Sequence, residues 1–128
     1  MRSPLLFPAA VLLLALSPAV AAMTGPATTE KTTLGEVLAN EHGMTLYTFK
    51  KDGHDKSNCT AKCAEAWPPF IAPADAKPSG DWSIVTRPDG GKQWAFKGKP
   101  LYTWKDDHEP GQTTGNGHLN GAWEVARP

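Results

Sequence analysis

The chain has 128 residues, with 13 basic and 13 acidic side chains and a formal net charge of zero. Charges of both signs are dispersed along it, which excludes the concentrated basic surface that a nucleic-acid partner needs. Its length suits one small domain with one core, and five Trp, two Tyr and four Phe, of which only Phe7 lies in the first 22 residues, make that core aromatic-rich.

Residues 1–22 read as a secretory signal. Arg2 supplies the positive start, Leu5 to Leu16 is apolar apart from Pro8, and Ala19-Val20-Ala21 or Val20-Ala21-Ala22 offers a small-residue cleavage site ending at Ala21 or Ala22. The apolar run is shorter than the roughly 20 residues of a spanning helix, so no transmembrane segment is expected. The first cysteine is Cys59, so no lipid anchor is expected at the cut. A periplasmic or secreted protein follows. Residues 23–33, rich in Thr, Ala, Pro and Gly without apolar periodicity, read as a flexible leader, and the domain as 34–128.

Leu34 to Ala39 and Thr45 to Lys50 flank Asn40-Glu41-His42-Gly43, a hairpin signal. Alternation along the second segment places Leu46 and Thr48 on one face and Tyr47 and Phe49 on the other. Ser57 or Asn58 is a candidate cap for a helix over Cys59 to Phe70, which Pro68-Pro69 ends. On such a helix Cys59 and Cys63 lie at i and i+4, about 6 Å apart, and export to an oxidising compartment favours a disulfide between them. A redox-active dithiol and metal ligation are the alternatives for this pair. Its Cys-x-x-x-Cys spacing differs from the thioredoxin motif, and Cys-x-x-Cys-His for covalent haem is absent.

Trp82 to Arg87 and Lys92 to Lys97 flank Pro88-Asp89-Gly90-Gly91, a second hairpin signal; Lys97-Gly98-Lys99-Pro100 then turns into Leu101 to Lys105. Here the sequence repeats itself. Gly43-Met44-Thr45-Leu46-Tyr47-Thr48-Phe49-Lys50-Lys51-Asp52 returns 55 positions later as Gly98-Lys99-Pro100-Leu101-Tyr102-Thr103-Trp104-Lys105-Asp106-Asp107. Trp67 follows Asp52 by 15 residues and Trp123 follows Asp107 by 16. This is an internal duplication. It predicts a mainly β fold: one small domain of two related hairpin or meander repeats, over about 34–70 and 82–128, with one short helix between them.

Tyr47, Phe49, Asp52, Trp67, Tyr102, Trp104, Asp107 and Trp123 are the repeated motif positions. The aromatics are expected to fill a core between the repeats, with an aromatic ligand platform as the alternative. Asp52 and Asp107 end their strands before Gly-containing loops, where carboxylates accept backbone N–H bonds and shape turns. No catalytic pair is assigned. His54 and His108 follow Asp52 and Asp107 at similar distances and are the metal candidates, though no paired histidine motif exists.

The patterns Tyr47-x-Phe49-x-x-Asp52 and Tyr102-x-Trp104-x-x-Asp107 resemble the signature of the bacterial secreted-repeat family, described as predicted lipoproteins with a Tyr-x-(Phe/Trp/Tyr)-x-x-Asp motif. Cys59-x-x-x-Cys63-Ala64-x-x-Trp67-Pro68-Pro69 and Gln93-Trp94-Ala95-Phe96-x-Gly98-x-Pro100-Leu101-Tyr102 extend the likeness over most of the chain. That family's function is unknown, so the resemblance implies fold and export and supplies no catalytic residues. The expected role is a non-enzymatic binding or interaction module for an envelope protein or small ligand, without a cofactor. The alternative is a thiol-, metal- or haem-linked redox or stress-defence protein.

Overall fold

A computed structural model describes residues 25–128, so the predicted signal lies outside the described residues. The strands are β1 (Thr28–Thr32), β2 (Gly35–Ala39), β3 (Tyr47–Phe49), β4 (Trp82–Thr86), β5 (Lys92–Phe96), β6 (Lys99–Pro100) and β7 (Trp123–Val125). Helix α1 is Lys62–Ala66, and α2, His118–Gly121, is a single turn whose Leu119 and Asn120 sit at φ 54° and 55°. The fold is mainly β, as the repeats imply, and every ladder is antiparallel.

Thr28–Thr32 is not a leader. It pairs with β2 in full register from Thr28 opposite Ala39 to Thr32 opposite Gly35. Threonine is a good strand former even where no apolar period marks it. The signal was in the duplication, because β1–β2 is the counterpart of the β4–β5 hairpin, which pairs from Trp82 opposite Phe96 to Thr86 opposite Lys92.

The first predicted hairpin is also redrawn. Toward the Thr45–Lys50 segment, β2 makes one bridge, Ala39 to Thr45, while β3 forms its ladder with β7 at the far end of the chain. The repeats are therefore interlocked rather than laid out as two meanders. Three backbone bonds tie Leu38, Leu46 and Ala126 in a ring: Leu38 N to Ala126 O, Leu46 N to Leu38 O, and Ala126 N to Leu46 O. Trp94, Leu101 and Phe70 make the equivalent ring through Trp94 N to Phe70 O, Leu101 N to Trp94 O, and Phe70 N to Leu101 O. In each ring two residues belong to one repeat and the third to the other. The segment after Trp67 completes the second half, and the segment after Trp123 completes the first.

A pseudo-twofold axis passes between Tyr47 and Tyr102, whose backbones exchange both hydrogen bonds at 2.8 and 3.0 Å. Gly43 and Gly98 open the two motif copies at φ 76° and 80°, a left-handed turn that disfavours other residues. This accounts for Gly at both places.

Strand alternation sorts side chains into two cores. Leu38, Leu46, Leu101 and Ala126 face one, with Trp82, Trp94 and Phe70. Val37, Tyr47, Tyr102 and Val125 face the other, with Trp67, Trp104, Trp123 and Cys59.

The helix is shorter than the spacing predicts. Ala61 at φ 53° precedes it, no side chain caps it, and Trp67 N–H closes it on Cys63 O. Cys59 thus lies outside α1. The Cys59–Cys63 disulfide is formed across the turn, with alpha-carbons 5.1 Å apart. A loop this short contributes about 2 kcal/mol on the chain-entropy account.

Candidate functional site

The motif tyrosines and aspartates join across the axis. Tyr47 Oη donates to Asp107 Oδ2 at 2.6 Å, and Tyr102 Oη donates to Asp52 Oδ2 at 2.7 Å. Each motif therefore pairs with the other copy, not with itself. The second oxygen of each carboxylate shapes a loop: Asp52 Oδ1 accepts Asn58 N–H at 2.7 Å, and Asp107 Oδ1 accepts the Thr114 N–H at 3.0 Å and hydroxyl at 2.7 Å. Asn58 thus serves Asp52 rather than capping a helix.

The motif aromatics stack beside these bonds. Phe49 lies 4.2 Å from Trp123, Trp123 lies 3.8 Å from Trp67 with ring planes 1° apart, and Trp67 lies 4.1 Å from Trp104. The ring sequence alternates between repeats. Tyr47 meets Trp67 edge-on at 5.3 Å, and Tyr102 meets Trp123 edge-on at 5.1 Å. Tyr47, Tyr102 and Trp123 are fully buried, and Trp104 keeps 9% exposure. Such contacts add about 0.5–1.5 kcal/mol per pair beyond area burial. Gly115 permits the close fit: a Cβ there would lie 2.8 Å from Trp67 Cη2 and 2.9 Å from Trp104 Cγ. Its N–H donates to Tyr47 Oη at 3.2 Å.

Both phenol pKa values lie well above the ordinary 10.0, chiefly because burial penalises the phenolate and also because a carboxylate accepts each phenol's hydrogen bond. The Asp52 carboxyl is held above its usual range by burial, which outweighs the opposing donors Asn58 and Tyr102 and the Arg87 charge.

Arg87 breaks the symmetry and carries no repeat signal. Only 2% exposed, it donates from Nη1 to Ser57 Oγ at 3.0 Å and to Gln93 Oε1 at 2.8 Å, and from Nη2 to Cys59 O at 2.8 Å. Ser57 Oγ is in turn 2.6 Å from Tyr102 Oη. Its Nε–H meets Asp89 Oδ2 at 3.1 Å. In sequence, Arg87 looks like a turn residue before Pro88-Asp89-Gly90, and Ser57 like a helix cap. Arg87→Ala would take a donor from three buried acceptors, leaving Gln93 Oε1 without its Arg87 bond, and is expected to cost about 2–3 kcal/mol in urea unfolding. Arg87→Lys should recover only part, because one ammonium cannot reproduce the planar fork. A loss below about 1 kcal/mol for the alanine variant would remove Arg87 from the network that holds the halves.

The metal candidates do not come to the motif. The His54 side chain is 82% exposed and lies 3.5 Å from Asp55, and His108 is exposed. Among the described residues no group of three or more His, Cys, Asp or Glu is arranged to hold a metal ion.

A concave surface lies beside the motif. Two adjoining hollows of about 500 and 420 Å³ share Thr48, Lys97, Lys99 and Glu124. Arg127 and Asn116 line one end, and Lys50, Phe49, Asp52 and His54 line the other. The Arg127 guanidinium is anchored on the carbonyls of Leu34 and Glu36. The repeat did not mark Lys97 and Lys99, because they flank the Gly98 turn and their first-copy counterparts are His42 and Met44.

Fold and site define a two-repeat β domain whose repeated motif joins its own halves through crossed tyrosine–carboxylate bonds and a shared aromatic column. The chain belongs to the secreted-repeat family of unknown function, whose model matches it twice, over residues 28–71 and 83–127. No curated protein and no solved structure matches it. The family is described as secreted, and no helix among the described residues is long and apolar enough to cross a membrane.

Proposed function

We propose that this is an exported bacterial envelope protein, released after Ala21 or Ala22, that acts as a non-enzymatic binding module for an anionic ligand. The observation that carries this reading is a division of labour. Most motif side chains are occupied in the interlock, with only Phe49 and Asp52 reaching the groove along β3, β6 and β7, which gathers Lys50, Lys97, Lys99 and Arg127 against Asp52 and Glu124. An excess of cations in a concave, partly apolar surface favours carboxylate or phosphate groups. Thr48 and Asn116 add neutral hydrogen-bonding groups.

The test is a nitrogen-15 NMR titration of the full chain with inorganic phosphate and, separately, a polyaspartate peptide. Shifts confined to Thr48, Lys97, Lys99, Asn116 and Glu124, lost in Lys97→Glu/Lys99→Glu, are expected. Shifts centred on another face, or none with either probe, would overturn the reading.

A further inference from the structure

The aromatic column is more than packed area. It runs from Trp104, which reaches solvent, through Trp67 to Trp123, with successive ring centroids 4.1 and 3.8 Å apart. Each inner indole has one tyrosine against it, Tyr47 on Trp67 and Tyr102 on Trp123. Each phenol donates its hydrogen bond to a carboxylate, Asp107 or Asp52. These are the only two tyrosines in the chain.

Electron exchange weakens steeply with the gap between donor and acceptor, so rings in van der Waals contact pass an electron far faster than separated ones. An oxidised indole takes an electron from a phenol readily when the phenol can release its proton in the same step. A carboxylate at hydrogen-bond distance accepts that proton. The structure holds two such indole–phenol–carboxylate units back to back.

We infer that the column is a conduit for one-electron oxidation that ends on Tyr47. A one-electron oxidant of the peroxyl or azide radical class removes an electron from Trp104 and becomes its anion. The vacancy passes to Trp67. Tyr47 then gives Trp67 an electron, its O–H bond breaks, and the proton moves to Asp107 Oδ2. The balance is oxidant radical plus phenol plus carboxylate, giving oxidant anion plus neutral tyrosyl radical plus carboxylic acid. A small reductant of the enediol or thiolate class returns the electron, and Asp107 returns the proton. In an exported domain this confines oxidising equivalents to a recoverable site.

Tyr47 rather than Tyr102 is the terminus because of charge. Tyr102 Oη contacts Ser57 Oγ, which accepts from the Arg87 guanidinium at 3.0 Å. A cation two hydrogen bonds away opposes the electron vacancy at Tyr102. Around Tyr47 and Asp107 the donors are the neutral Gly115 N–H and Thr114.

Pulse radiolysis of the full chain with azide radicals tests the inference. The tryptophanyl absorption should decay as the tyrosyl absorption grows, at a rate independent of protein concentration and slower in heavy water. Tyr47→Phe should lose most of the tyrosyl yield and Tyr102→Phe should keep it, with near-ultraviolet circular dichroism establishing that each variant is folded. A wild-type radical that stays on tryptophan, or tyrosyl growth that scales with protein concentration, would overturn the conduit without any variant. Equal loss in the two variants would overturn the choice of Tyr47.

Discussion

Trp123→Ala is expected to remove most of the domain's stability. Trp123 is fully buried, stacked between Phe49 and Trp67 and met edge-on by Tyr102. Removing such a ring costs about 3–5 kcal/mol in lost burial and residual cavity. That is comparable to the roughly 5–15 kcal/mol that holds a domain together, and a chain this small sits at the low end. The cavity would open on the pseudo-twofold axis, where the two repeats meet, so neither half could collapse around it alone.

Trp123→Phe provides the control. The indole Nε1 is buried without a hydrogen-bond partner, so replacing it by phenyl loses no bond and keeps most of the stack. Its cost should stay under about 2 kcal/mol. Urea unfolding followed by far-ultraviolet circular dichroism measures both. An alanine variant that unfolds at nearly the wild-type midpoint would show that the column does not hold the repeats together.

The second large effect is alkaline collapse. An unfolded tyrosine titrates near 10.0, whereas both folded phenols are pushed well above that by burial and then by the carboxylates that accept their hydrogen bonds. The folded state therefore holds its phenol protons more tightly than the unfolded state does. The resulting stability is fully present below about pH 10 and is lost as pH rises toward the folded values. Tyrosinate absorbance should stay flat through the pH at which an exposed phenol is half ionised. Both tyrosines should then ionise in one step that coincides with loss of near-ultraviolet circular dichroism. Two ordinary titrations near pH 10 in a protein that stays folded would contradict the crossed bonds.

At neutral pH, Tyr47→Phe leaves Asp107 Oδ2 without its phenol donor and should cost about 1–3 kcal/mol. Asp52 has the same sign as the tyrosines, opposite to a carboxylate whose pKa is lowered on folding. Burial raises its pKa in the fold, so its protonated form favours folding, and that contribution is lost as pH rises through the folded value.

How far the site was legible follows from which interactions are local. The Cys59–Cys63 pairing spans four residues, and alternation along β3 puts Tyr47 and Phe49 on one face. Arg87 and Ser57 were opaque because their partners lie on other segments: Arg87 reaches Ser57 and Cys59, about 30 positions away. The Lys97 and Lys99 groove was opaque for the same reason, being made where β6 meets β3 and β7.

Legible in the sequence alone were the duplication, the mainly β class, and the membership of Tyr47, Phe49 and Asp52 in one motif and of Tyr102, Trp104 and Asp107 in its copy. These rest on patterns with periods of a few residues or on direct self-similarity, which need no knowledge of what lies opposite. It took the folded chain to establish that Tyr47 serves Asp107 and Tyr102 serves Asp52, that β3 pairs with β7, and that Thr28–Thr32 is a strand. Two identical motifs present the same donors and acceptors to themselves and to each other. Chain geometry at the axis settles which bonds form: the chain turns after Phe49 and after Trp104, with Asp52 N bonded to Phe49 O and Asp107 N to Trp104 O, and each turn delivers its carboxylate to the tyrosine of the other copy.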